Sequence, residues 1–230
     1  VYAYAFQIYG DFAGYSNMAR GLAKLMGFEL MINFRNPYFS MSPKEFWHRW
    51  HITLSTWLRD YVYISLGGNR KSHVRTYINL FLTMFLGGLW HGAAWHFVFW
   101  GVYHGLLLML QRLYEENIRP HLASIGIFQS DKEHSRAHGF LKIIRVIVFF
   151  QFICFGWILF RSQNMDQAAE IFHAILNKCQ WTPFAEKYLV DLAFLVCPLI
   201  IFEILEYRKN DPCFILRCHP ALQGAVYFFL

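Results

Sequence analysis

The sequence predicts an all-α, polytopic membrane fold, on three observations. Of its 230 residues, 56% are hydrophobic and 20% aromatic, which is not the composition of an ordinary soluble domain. Two stretches, Lys142–Phe160 and Lys187–Glu206, each supply the roughly 20 apolar residues needed to cross a hydrocarbon core about 30 Å thick. Glycines and short basic loops divide the remaining apolar sequence into further segments of helical length. The formal charge of +6 is spread over these loops rather than gathered in one stripe, a pattern of bilayer orientation rather than nucleic-acid binding.

Residues 1–27 read as the end of one apolar helix and a second, small-residue-rich one, interrupted at Gly10-Asp11 and Gly14. Asp11 is then a carboxylate at membrane depth. The run from Asn33 to Trp47 reads as a loop, because Pro37 turns Asn36 away from helix. Ser42, Pro43 and Glu45 stand as N-cap, N1 and N3 of a capping box. From that cap the pattern stays helical to about Leu66 and stops at Gly67-Gly68-Asn69, a length of about 36 Å. Lys44, Glu45, His48, Arg49, His51, Arg59 and Asp60 make it too polar for a lipid-facing span, so it belongs at the interface or inside a bundle.

Tyr77–Leu110 is too long for one span and is broken at Gly87-Gly88 and at Gly92, which favours two shorter helices. Tyr77–Trp90 would rise only about 21 Å, placing His91 near mid-membrane. The segments 37–76 and 111–145 both carry a Lys/Arg excess, so either Tyr77–Leu110 enters and returns on one side or one loop violates the positive-inside rule. Asn164–Leu176 has its apolar residues on one helical face and reads as an interfacial helix. The last residues, from Pro220, resemble a truncated spanning helix, and the chain is expected to be the C-terminal part of a longer protein. Five cysteines without a C-x-x-C spacing give no disulfide framework or zinc site, and Cys154 and Cys197 read as packing residues.

Of eleven histidines, His121, His134, His138, His173 and His219 sit in polar or interfacial sequence and call for no function. His48, His51, His91, His96 and His104 fall in or beside apolar sequence, where an unpartnered polar group costs several kcal/mol. Hydrogen bonds between helices are the expected use of His48, His96 and His104. His91 differs, because Gly87, Gly88, Gly92, Ala93 and Ala94 leave room for a backbone or substrate beside it. Trp90 and Trp95 would wall that room and offer indole N–H donors. A neutral imidazole there can act as a general base. Metal binding lacks the carboxylate ligands and dense histidine boxes it would need. Proton-coupled transport and base-assisted acyl transfer both remain open on these residues.

The runs Glu45–Arg70 and Asn79–Gly105, with their "SLGGNR" segment and paired histidines, resemble the membrane-bound O-acyltransferase family, in its bacterial branch that acylates cell-surface polymers. Phe6–Phe28 and Gly156–Ala168 extend the likeness; Asn17 stands where that branch carries an aspartate. The resemblance implies one membrane domain, a helical ring around a thin centre with a tunnel. Residues 1–110 would be its catalytic core helices, 111–141 a loop, and 142–230 further spans and the interfacial helix. It implies His91 as catalytic base and His51 as its companion. In a mechanism built on that pair, Trp90, Asp60, Trp95 and Asp11 are the supporting residues, and Arg59 and Arg70 either hold donor phosphates or, as the charge pattern favours, only orient the chain in the bilayer. No metal is implied. The implied donor is acetyl-CoA or another acyl thioester, and the implied acceptor a polysaccharide such as alginate. The implied setting is the bacterial inner membrane, with periplasmic acetyltransferases and polysaccharide export machinery as partners.

Overall fold

The computed structural model of the protein describes residues 1–124, 136–178, 180, 182–209, 211 and 214–229, and the regular elements among them are helical. The chain forms two compact units, Val1–His173 and Ala174–Leu230.

The first helix, α1 (Tyr2–Leu25), runs unbroken through Gly10, Asp11 and Gly14, so the expected pair of segments is a single element. In apolar surroundings a continuous helix satisfies its own backbone groups, and that outweighs the roughly 1 kcal/mol each interior glycine costs. α1 ends in a Schellman motif, where Phe28 N–H donates to the Ala23 carbonyl and Gly27 N–H to that of Lys24. Gly27 takes φ +85° there. Ala5, Tyr9, Ser16 and Ala23 form its buried face.

Ser42 caps α2 (Pro43–Arg49) as expected, accepting from the Glu45 N–H. The returning half of the box goes one residue further back, Glu45 Oε2 accepting from the Met41 N–H at 2.8 Å. The long helix expected to reach Leu66 is broken at Trp50-His51. His51 adopts φ +43°, ψ +56°, and α3 (Ile52–Trp57) starts after it and widens into a π-helix over Leu58–Tyr63. Tertiary pairing drives the break: Ile52 N–H donates to the Asn33 carbonyl, and Arg35 N–H to that of Arg49, each at 3.0 Å. The Asn33 side-chain oxygen accepts from both the N–H and the hydroxyl of Thr53. Gly67 and Gly68 then end the segment with positive φ. Fully buried Asn79 ties that turn down by donating to the carbonyls of Leu66 and Gly68.

α4 (His73–His91) and α5 (Trp95–Leu113) are the two shorter helices expected, parted at Gly92 to Ala94. The helix continues through Gly87-Gly88, which serve packing rather than a break. A Cβ on Gly88 would meet Gly101 backbone at 3.0 Å, and one on Gly101 would meet the Met84 carbonyl oxygen at 2.5 Å. Phe81 lies against Gly105 in the same antiparallel register. Where lipid is as apolar as the side chains, such close backbone approach is what holds helices together.

The expected loop over 111–141 is largely helical in its described part. A π-helix over Tyr114–Ile118 follows α5, then α6 (Arg119–Ser124), and α7 (Arg136–Arg161) begins well before Lys142. His134 lies outside the described residues. α7 packs on α5, with Gly156 against the ring of His104. α8 (Met165–Asn177) is the amphipathic helix expected, capped reciprocally by Asn164 and Gln167.

In the second unit, α9 (Pro183–Lys209) has the length and apolarity to cross a membrane, as has Gly139–Arg161 of α7 in the first. Cys154 is buried as expected, whereas Cys197 on α9 is exposed. α10 (Pro220–Phe229) is helical as its sequence suggested.

Candidate active site

His91 is the last residue of α4, half-buried, with its ring enclosed by other rings. Trp90 and Phe160 have centroids 4.9 Å away, Trp100 5.2 Å and Phe97 6.0 Å. Phe160 also contacts both Trp100 and Trp157, so the enclosure is braced by α5 and α7. Aromatic faces exclude water without competing for the imidazole nitrogens.

His51 stands on the other side of Trp90, 6.4 Å centroid to centroid, and packs edge-on against Phe12 of α1 at 4.7 Å. Its left-handed backbone at the junction of α2 and α3 is uncommon for a residue with a Cβ, and the Asn33 pairing holds it there. The structure thus brings the two expected histidines together around one indole.

The supporting residues fare differently. Trp90 contacts both histidines while 59% exposed, but Trp95 turns outward at 71% exposure and is not a wall of the site. The walls are Trp100, Phe97 and Phe160, which sequence reasoning missed. Phe160 lies within the Gly156–Ala168 run that carried the resemblance, so the signal was present but not attached to His91. The space beside the small residues is likewise filled, on the Gly88 side by α5 backbone.

Asp11 is exposed on α1, next to Phe12, and among the described residues no hydrogen bond or ion pair joins it to either histidine. Asp60 is also exposed, and pairs with its neighbour Arg59 at 2.7 Å rather than with either imidazole. The guanidinium beside it holds the Asp60 carboxyl below its ordinary value. His48 hydrogen-bonds to the Lys44 carbonyl of its own helix at 2.6 Å, not across helices. His96 and His104 are buried, and their Nδ1 atoms have no hydrogen-bond partner among the described residues. Among the described residues the expected interhelical bonds are absent there; edge-on ring contacts join His104 to Trp47 and Trp100, and His96 lies tilted against its neighbour Phe97. Among the described residues no three histidine, cysteine or acidic side chains gather as a metal site.

A cavity of about 400 Å³ opens between α2–α3 and α4–α5. Its polar lining includes Lys44, His48, Arg59, Gln111, Arg112 and Glu115, and its apolar lining includes Trp47, Ile52, Leu58, Leu80, Met84 and Leu108. Arg59 lines this cavity together with Lys44 and Arg112, while Arg70 is exposed and does not line it. Neither His51 nor His91 lines the cavity, but Ile52 adjoins His51 in the chain.

A model of the membrane-bound O-acyltransferase family matches residues 1–156. The chain is 45% identical over 211 residues to the "Probable alginate O-acetylase" of Azotobacter vinelandii, covering 90% of this chain and 39% of that protein. It is 38% identical to the "Peptidoglycan O-acetyltransferase" of Helicobacter pylori, over 76% of this chain and 30% of that one. With the "Teichoic acid D-alanyltransferase" of Bacillus subtilis it shares 30% identity, over 71% of this chain and 40% of the relative. The chain thus spans well under half the length of these relatives. Together with two histidines set around one tryptophan, these matches place the chain in the membrane-bound O-acyltransferase family.

Proposed function

We propose that the protein is a membrane O-acyltransferase that takes an acetyl group from a thioester donor for O-acetylation of a cell-surface polysaccharide such as alginate. The observation that carries this is the pairing of His91 and His51 around Trp90, in a chain 45% identical to a protein named as an alginate O-acetylase.

His91 takes the proton from the acceptor hydroxyl, and the oxygen attacks the thioester carbonyl carbon. The new C–O bond forms, the C–S bond breaks, and the leaving thiolate takes up the proton that His91 received. His51 positions the reacting groups, and its fixed backbone suits that role. Of the indoles, Trp100 is better suited than Trp90 to stabilise the oxyanion, because its buried N–H has no acceptor among the described residues. The basic lining and apolar depth of the cavity suit a donor with anionic phosphates and an acyl thioester, acetyl-CoA being the simplest. The protein is read as multi-pass in the bacterial inner membrane, its helices ringing a tunnel from donor to acceptor side. Periplasmic acetyltransferases and export machinery receive or use the acetyl group.

Replacing His91 with Ala removes the base, and transfer from labelled acetyl-CoA in membranes containing the full-length protein should fall about 10²- to 10⁴-fold. Normal esterification by that variant would remove His91 from the chemistry. Label that crosses vesicles without becoming ester would instead identify a transporter.

A further inference from the structure

Neither histidine lines the cavity, but chain next to each of them does. Leu58, the first residue of the π-helix, is 8% exposed, lines the cavity and lies against α4. Its Cδ1 lies only 3.3 Å from where a Cβ on Gly87 would stand. Gly87 precedes His91 by one helical turn, about 6 Å along the axis. Buried Thr83 and Met84, one turn earlier on α4, line the same wall, and Ile52 adjoins His51 at the other end. A π-helix carries an extra residue in its turn, which shifts the side chains that follow relative to a regular helix. Here that widened stretch begins with the residue lying against Gly87.

We propose that Leu58, seated on Gly87, closes the inner end of the cavity and confines the acyl group that reaches His91 to a short one. The proposal rests on the reading of the cavity as the donor site. An acetyl group needs little depth beyond its carbonyl, whereas each further methylene would have to occupy the volume that the Leu58 isobutyl group fills. Any side chain on Gly87 would push Leu58 toward the cavity; glycine lets it lie flat against α4. Leu58 is therefore a specificity-determining residue, and Gly87 the position that seats it.

The test uses the full-length protein in membrane vesicles, with acetyl-CoA and hexanoyl-CoA as competing donors. L58A should raise hexanoyl over acetyl transfer by at least about tenfold, since one methylene in an apolar pocket already discriminates by that much. L58V should give a smaller change in the same direction, and serves if L58A does not accumulate in the membrane. G87A should lower acetyl transfer without gaining hexanoyl transfer. An unaltered donor ratio in a leucine variant that still transfers acetyl overturns the proposal. A second measurement needs no turnover. In H91C, the rate of N-ethylmaleimide addition at residue 91, read on the peptide by mass spectrometry, should rise severalfold when L58A is added. An unchanged rate in correctly inserted protein overturns the proposal as well. Faster labelling in a protein that transfers acetyl from no thioester would leave the gate standing and refute the proposed function instead.

Discussion

Gly88→Ala should pry α4 away from α5. The added Cβ would stand 3.0 Å from Gly101 Cα and 3.1 Å from Gly101 N, and closer still to the Phe97 carbonyl oxygen. All three are backbone atoms, so no rotamer change relieves the clash, and the helices must separate. Overpacking of this kind costs about 1–3 kcal/mol. At the about 2–4 °C per kcal/mol that applies to 150–250 residues, a central value of about 2 kcal/mol lowers the melting temperature by about 4–8 °C, and by less in a longer protein. Gly87→Ala is the internal comparison, because its Cβ meets only the flexible end of Leu58 at 3.3 Å. The assay is thermal melting of the detergent-solubilised full-length protein, with acetyl transfer measured alongside. His91 lies three residues beyond Gly88 on the same helix, so transfer should fall further than stability alone explains, as misplacement by about 1 Å can cost about 10²-fold. A G88A protein that melts with G87A or above it would refute the close crossing.

Three other outcomes follow from the geometry. H51G should melt about 2–4 °C above H51A, because glycine releases about 1 kcal/mol of left-handed backbone strain that alanine keeps; equal melting would show that the turn is unstrained. W100F keeps the ring against His91 but loses the N–H, and should cut transfer about 10²-fold, while W90F should cut it less; the reverse order would return the oxyanion role to Trp90. Glu116 accepts from the Tyr77 hydroxyl at 2.7 Å and pairs with His73 and Arg112, contacts that hold its carboxyl below the ordinary range, the tyrosine contributing most. Its stabilisation is therefore present above the unfolded carboxyl value near about 4.3 and is lost as pH falls through the lower folded value. Wild type should melt above E116Q at neutral pH and converge with it in acid; a gap that persists in acid would refute that assignment.

Much of this was legible in the residues. The length of the apolar runs gave α7 and α9, apolar periodicity gave α8, and the glycines after Leu66 and at Gly92 gave true ends. The misreadings share a cause: they concern places where distant chain decides local form. Nothing near Trp50 or His51 announces a left-handed residue, because the pull comes from Asn33 and Arg35. Gly10 and Gly14 read as breaks and are helical, while Gly88 read as a break and is a contact surface. At the site, the two histidines were found from small neighbours and resemblance, but Trp100 and Phe160 lie on other helices. Only the folded arrangement could separate them from the many other aromatic residues, or show Trp95 facing outward.

The stitching of Asn33 and Arg35 to the residues on either side of His51 has a practical corollary. A designer who lifted residues 43–63 into another scaffold would obtain a continuous rod, with the imidazole on the wrong side of it. The portable unit is two pieces of chain, and a library that varies one while freezing the other would mostly sample misaligned histidines. Directed evolution of this protein should therefore randomise the 33–36 segment together with 49–53, treating them as one cassette.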